Sequence, residues 1–368
     1  MDSKRRILIL VLVFSAWFAK AQQVTSHTDS LGYALFIKGD YSGALGYYDQ
    51  SLAEDPLNKN AAYFAYLSAK YINRDLQAAF YAAKLDTTQQ QSLEVTPFGL
   101  VAAGIEGSVK IPQDNYRGTA AFTRASLSNR LGWHMQLDQS LSVFSQSIND
   151  LSTATATTND NLEKAAVMRS ASDQDNQFEY YGKLSFTITH NLTVLGAYHY
   201  MATGYHNVTY NSNLGLFGLK YSGNYFDAQA DVAFGGMIDH NITQLNAAFT
   251  LYPLGNLNFY TISRLSSLTQ SGGSQTIFNQ AVGFKAAKII WLETSATFGN
   301  LDNYIDADGL YIYNAVDATK LKLGETVFFI VGKHAQLQLN YTFERKQDTD
   351  HNISYPQNSV AAGLLWKF

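Results

Sequence analysis

The sequence holds eight histidines, the side chains that hydrolases most often use to move protons near neutral pH. His190 and His334 fall in tight turns, and His206, His240 and His351 in longer connections. His134 lies near a turn and His199 inside a segment that reads as a strand. None has the spacing of a zinc site, and no serine sits in a strand-to-helix elbow that would expose it as a nucleophile. One hydrolytic arrangement stays open: His199 or His206 meeting a loop serine and a carboxylate across strands. A second group of ionisable residues occupies the polar phase of strand-like segments: Glu106, Asp138, Glu179, Lys183, Lys220, Asp227, Asp231, Arg264, Lys285 and Glu344. Their mixed signs suit a water-filled channel, and equally a lumen closed by ion pairs. Asp302, Asp306 and Asp308, with Asn303, could offer oxygen ligands to calcium. They lack a complete calcium-loop pattern and read more simply as a solvated loop. Asn207 and Asn352 head Asn-x-Ser/Thr triplets, which carry meaning only in a glycosylating host. None of these residues is thereby marked as catalytic, cofactor-binding or metal-ligating.

The segments that would position these groups alternate apolar and polar residues at a period of two. Phe226, Ala228, Ala230, Val232 and Phe234 share one face, and Asp227, Gln229 and Asp231 the other. Phe178, Tyr180, Leu184, Phe186 and Ile188 oppose Gln177, Glu179, Lys183 and Ser185 in the same way, as do Leu337, Leu339, Tyr341 and Phe343 against Gln336, Gln338, Asn340 and Glu344. Such alternation predicts strands with one face in an apolar medium and one in water. Fourteen strands are expected, near 98–110, 116–129, 132–147, 176–189, 192–204, 213–222, 225–237, 242–253, 256–269, 275–287, 289–301, 319–332, 335–347 and 357–368. Strands with blurred phase, such as the one where Phe122 shares a face with Arg124, leave twelve as the alternative.

Connections alternate between tight turns and long loops, the longest at 149–175 and 302–318. That sorting is the plan of an antiparallel transmembrane β-barrel, with short turns on the periplasmic side. An even strand count puts both barrel ends on that rim. Pro97, Pro112, Pro253 and Pro356 all fall at strand ends or in connections, where a missing N–H does no harm. Trp133, Trp291 and Trp366 lie at tight-turn strand ends and read as one interfacial girdle.

Composition agrees. Charged residues are 15% and aromatic residues 14%, with 24 Tyr and 22 Phe. Soluble domains carry about 25% charge, yet a mean hydropathy of −0.14 is too low for a bundle of membrane helices. The absence of cysteine is compatible with the cell envelope. Lys4, Arg5 and Arg6, the apolar run 7–18 and Ala19-Lys20-Ala21 form a secretory signal, expected at 1–21. Without it the balance is 22 basic against 29 acidic residues, a net charge of −7. An acidic chain with no basic cluster argues against nucleic acid as a partner.

Residues 26–88 read as helical. Gly32, Gly39-Asp40-Tyr41, Ala44, Tyr48, Leu52 and Pro56 stand at the spacing of a tetratricopeptide repeat and resemble that family. A weaker second repeat follows, with Ala62, Ala65 and Ala69 on one helix, Ala78, Ala79 and Ala82 on the next, and 73–75 at the turn. Residues 87–92 read as a polar linker. Two repeats rarely bury a core of their own, so these helices must pack on something: the barrel, a second copy or a periplasmic protein.

The chain ends on a strand with Val360, Ala362, Leu364, Trp366 and Phe368 on one face. Gly363, Trp366 and the terminal Phe368 resemble the insertion signal of bacterial outer-membrane barrels, which implies the outer-membrane lipid and the barrel assembly machinery as partners. A signal peptide (1–21), a helical segment with linker (22–92) and a barrel (93–368) together resemble the YaiO-like outer-membrane proteins. That resemblance rests on Gly39 to Tyr41 with Pro56 and on Arg130-Leu131-Gly132-Trp133. It implies an outer-membrane location with the helices and C-terminus periplasmic. The expected function is a non-enzymatic channel, or an envelope export or assembly component whose helices recruit a partner. The alternative is an outer-membrane enzyme modifying lipid or lipopolysaccharide.

Overall fold

The computed structural model describes residues 27–154, 167–205, 208–238, 240–314, 316–348 and 351–368. The expected signal at 1–21 lies outside the described residues, as do His206 and Asn207. Five helices come first: α1 His27–Ile37, α2 Tyr41–Glu54, α3 Lys59–Tyr71, α4 Asp75–Ala82 and α5 Thr87–Ser92. Strands follow: β1 Phe98–Pro112, β2 Arg117–Leu131, β3 Met135–Ala154, β4 Val167–Thr189, β5 Leu192–Tyr205, β6 Val208–Ser222, β7 Phe226–Met237, β8 His240–Leu251, β9 Phe259–Gln270, β10 Gly273–Ala287 and β11 Ile290–Phe298. Two short strands, β12 Ile305–Asp306 and β13 Tyr311–Ile312, precede β14 Ala318–Val331, β15 Ala335–Asp348 and β16 Ile353–Lys367.

Apart from β12 and β13, which pair only with each other, the strands form one closed antiparallel barrel of fourteen. Each pairs with its sequence neighbour, and β16 closes on β1 in register from Ala102↔Lys367 to Pro112↔Gln357. The twelve-strand alternative is excluded. Outward-facing Ile105, Phe217, Leu245, Leu339 and Val360 stand exposed all around the cylinder, whereas Gln177, Glu179, Asp227 and Glu344 turn inward and are buried. Phe122 and Arg124 share a phase because both face inward, with the guanidinium 4.9 Å from the ring centroid.

Several boundaries differ from expectation. Residues 149–175 are not all loop: β3 and β4 stay paired to Ala154↔Val167, past Ile148, where β2 stops pairing with β3. This hairpin therefore projects beyond its neighbours on the long-loop rim. Pro356 lies inside β16 rather than before it. It sits just past Gln357, the last β16 residue paired with β1, so no strand there needs its missing N–H, and its carbonyl accepts from Gln113 N.

The helices form two antiparallel pairs with their own core of Ala44, Leu45, Tyr48, Ala62, Ala65, Ala69 and Tyr81. A Cβ on Gly32 would lie 3.0 Å from the Tyr48 ring, so glycine sets the α1–α2 distance. Residues 87–92 are a helix, not a linker: Asp86 and Gln89 form a reciprocal capping box.

Leu245 stands midway along β8 and is 59% exposed. Leu245→Arg is expected to destabilise the barrel in lipid vesicles by about 2–4 kcal/mol, while Leu245→Phe stays near neutral. Urea unfolding followed by heat-modifiable gel migration measures both.

Candidate functional site

The acidic segment between β11 and β14 does not sit in solvent. It enters the lumen and crosses it. Gly299 makes the turn inward at φ +126, where a Cβ would meet the Thr276 carbonyl at 2.7 Å. β12 and β13 then form a small hairpin whose tip is a 3-10 turn at Ala307–Gly309. Side chains from around the wall hold this inward loop. Arg264 Nη1 donates to Asp306 at 2.6 Å, and Lys183 Nζ lies 3.2 Å from Asp308. Gln229 donates to Asp308 at 2.7 Å. Gln244 takes both backbone groups of Ile305, donating at 2.6 Å and accepting at 3.0 Å. At the return to the wall, Arg117 makes a two-pronged pair with Asp317 at 2.6 and 2.8 Å, a geometry only a guanidinium supplies. Tyr355 donates to the same carboxylate at 2.7 Å.

Apolar contacts secure the other side. Leu301, Tyr304 and Ile305 are buried against inward-facing Met201, Leu214, Leu216, Ile242, Leu268 and Ile277. The expectation of a solvated loop at 302–308 is thus corrected. Wall cations and amides satisfy its carboxylates, so burial replaces hydration. Asp302 accepts from Gln270, Asp306 from Arg264 and Asp308 from Lys183 and Gln229, so the three do not converge on one point as calcium ligands must.

The charged residues singled out from the sequence gather around this loop or the helices. Glu106 accepts from Tyr311 Oη at 3.0 Å and lies 3.6 Å from Arg124. Asp138 flanks Lys183 at 3.7 Å, Asp231 accepts from Asn246 at 2.6 Å, and Glu344 from Gln357 at 2.6 Å. Glu179 accepts from Ser142 at 2.8 Å and lies 3.5 Å from His199 Nε2. His199 Nδ1 donates to the Gly309 carbonyl of the inward loop at 2.6 Å. Serine, carboxylate and histidine do meet across strands, but the carboxylate is in the middle. A hydrolytic triad needs the imidazole between nucleophile and acid, so this order gives Ser142 no base.

The helices seat on the tight-turn rim. Arg74, buried at the start of α4, donates to the carbonyls of Gly223 and Phe226 at 2.8 and 3.1 Å and lies 3.1 Å from Asp227. Asp227 also meets Lys220 at 3.4 Å and the Tyr252 hydroxyl at 2.9 Å. Asp40 caps α2 by accepting from Gly43 N at 2.8 Å, and accepts from Tyr225 Oη at 2.9 Å. Gly39 bends the chain at φ +80, and its carbonyl accepts from Asn256 at 2.7 Å. Some of the residues expected to form a repeat motif touch the barrel: Gly39 and Asp40 bond to it, while Ala44 and Tyr48 fill the helical core and Pro56 lies in the turn after α2. Arg74 could not be singled out from sequence, because its partners are backbone carbonyls of a distant turn.

The expected tryptophan girdle is corrected here. Trp366 faces outward, 45% exposed. Trp133 packs on the helical core, and Trp291 faces inward, donating to the Leu257 carbonyl at 3.0 Å. The helices turn part of that rim into a protein interface, which takes Trp133, while Trp291 turns to the cavity beneath them. Between the helices and the lower wall lies a vestibule of about 1310 Å³, lined by Tyr41 and Tyr71 of the helices and by Tyr260, Trp291 and Phe328 of the wall.

No protein-family model matches this chain, and no curated protein does. Solved structures do. A TodX deltaS2S3 mutant monoaromatic hydrocarbon channel superposes with a TM-score of 0.53 at 10% identity, over 75% of this chain and 92% of the other. The Pseudomonas putida toluene transporter TodX gives 0.50 at 9% identity, over 74% and 89%. The fold is that of an outer-membrane β-barrel.

Two outcomes test the seating of the helices. Arg74→Ala leaves Asp227 without its guanidinium and is expected to speed proteolysis of the helical segment several-fold in limited digestion, with the barrel intact. Asp49 of α2 is held above its ordinary carboxylate range by burial, which outweighs nearby His190 and the hydroxyl bond from Tyr81. Its raised folded value makes its contribution to stability greatest below about pH 3.8, the unfolded value, and smaller as pH rises through the folded one. Asp49→Asn is therefore expected to protect α2 and α4 amides at pH 7 relative to the parent, with the difference closing towards pH 3.5; hydrogen exchange reads it.

Proposed function

We propose that this chain is a non-enzymatic outer-membrane channel, closed at rest by its own inward loop and covered on the periplasmic side by tetratricopeptide-like helices. One observation carries the reading. Residues 302–317 cross the lumen, yet their short strands pair only with each other. They are held by side chains, so the loop can leave without opening a single wall ladder. The exposed apolar outer face supports a lipid surround, and the tight-turn rim that carries the helices is then periplasmic. The neighbours TodX and its mutant, named a toluene transporter and a hydrocarbon channel, support passage of a small solute.

The signal at 1–21, the helical pairs and the Trp366–Phe368 end support a YaiO-like architecture. Gly363, whose absent Cβ would meet Gln338 at 2.8 Å, Trp366 and Phe368 would be read by the barrel assembly machinery. Exposed Tyr33 and Ile37 on α1 and Leu57 in the turn after α2 support recruitment of a periplasmic protein.

Planar-bilayer recording tests the channel. Replacing 303–314 with a short Gly-Ser linker is expected to raise single-channel conductance at least tenfold over the parent. The pair Lys183→Ala with Arg264→Ala, which takes the cation from Asp308 and from Asp306, is expected to give brief openings of intermediate size. A trimmed barrel that is folded by heat-modifiable migration and still silent would overturn the reading.

A further inference from the structure

The chain is acidic overall, with a net charge of −4, but its vestibule is not. Lys38, Lys285, Lys333 and Lys367 all line it, and among the described residues none of the four makes a salt bridge. The lining acids are largely engaged. Asp227 faces Arg74 and Lys220, and Glu293 accepts from Tyr260 Oη at 2.7 Å; Glu94 is exposed at the edge. Lys70 is paired with Asp75, and Arg130 donates to the Thr96 carbonyl at 3.2 Å. The seven lysines and arginines of the lining outnumber its three acidic side chains and the Phe368 carboxylate, so the net charge of this concave space is positive, and protein walls focus such a potential into the cavity.

The same space presents aromatic rings. On the helices, Tyr41 and Tyr71 lie 4.6 Å apart between centroids. On the wall, Lys285 Nζ stands 4.6 Å from the Trp291 ring centroid, so a charge and a π face already adjoin there. Exposed Lys333 and Phe368 mark where the vestibule meets solvent.

We propose that the vestibule is a binding site for an organic anion with a flat or ring-shaped body, the charge taken by the lysines and the ring by the aromatic side chains. This deepens the channel reading by giving its solute a class, and rests on it only for passage. Binding itself is tested without conductance, in the intact chain. Quenching of tryptophan fluorescence by iodide, caesium and neutral acrylamide is compared, and Trp291→Phe identifies the vestibule component.

With each quencher scaled to its effect on free N-acetyltryptophanamide, iodide is expected to quench that component several-fold more than caesium. Lys285→Gln with Lys333→Gln and Lys367→Gln should at least halve the iodide effect and leave acrylamide unchanged. Lys333→Gln alone, in an exposed turn, keeps the test open should the triple variant misfold. Benzoate or glucuronate is expected to displace iodide at concentrations at least tenfold below acetate, the pair separating an arene from a sugar ring. Benzyl alcohol should have no effect. Equal scaled quenching by iodide and caesium, or no change in the lysine variants, overturns the site. Acetate as effective as benzoate and glucuronate overturns the ring, and benzyl alcohol as effective as benzoate overturns the charge.

Discussion

A closed cylinder of fourteen strands encloses more room than its inward side chains can fill. Eight strands leave an interior that side chains just occupy, and sixteen leave an aqueous channel. The present barrel lies between, and the rest of the molecule follows from that surplus space. An outer loop enters and crosses the middle, five helices settle on one mouth, and a vestibule persists below. The wall answers each intrusion with polar groups, because a loop drawn inside loses its water and must find bonds elsewhere.

Charge follows the same logic. Residues 302–317 carry four aspartates and no basic residue. A segment so acidic would be expelled from a low-dielectric interior unless opposite charge awaited it. Arg117, Lys183 and Arg264, from three separated strands, supply that charge. The helices repeat the arrangement with the sign exchanged: Arg74 brings the cation, and Asp227 in the wall receives it. Each inserted element thus meets the wall through a charge opposite to its own.

Much of this was legible in the residues themselves. Period-two alternation is imposed by the pleat, so Phe178 to Ile188 and Leu337 to Phe343 declare their outer face without any knowledge of neighbours. Strand number followed, because tight turns punctuate the pattern. The destination of 302–317 did not. Its aspartates are written identically whether they meet water or Lys183, and the choice depends on wall residues at least 32 positions away. Trp133 and Trp291 erred for a related reason: their position at a strand end was read correctly, but a helix on the rim, or a cavity under it, decides which way the ring turns. Glu179, Ser142 and His199 show the converse. Their proximity could be imagined from sequence, but the order of contact, which decides the chemistry, exists only in three dimensions.

The inward loop touches the wall through side chains and shares no ladder with it. The molecule therefore has two resistances that need not move together. One belongs to the cylinder and resides in its backbone hydrogen bonds; the other belongs to the inserted loop and resides in replaceable side-chain contacts. Sequence drift could retune how firmly the loop is held, residue by residue, while the cylinder stays as durable as before.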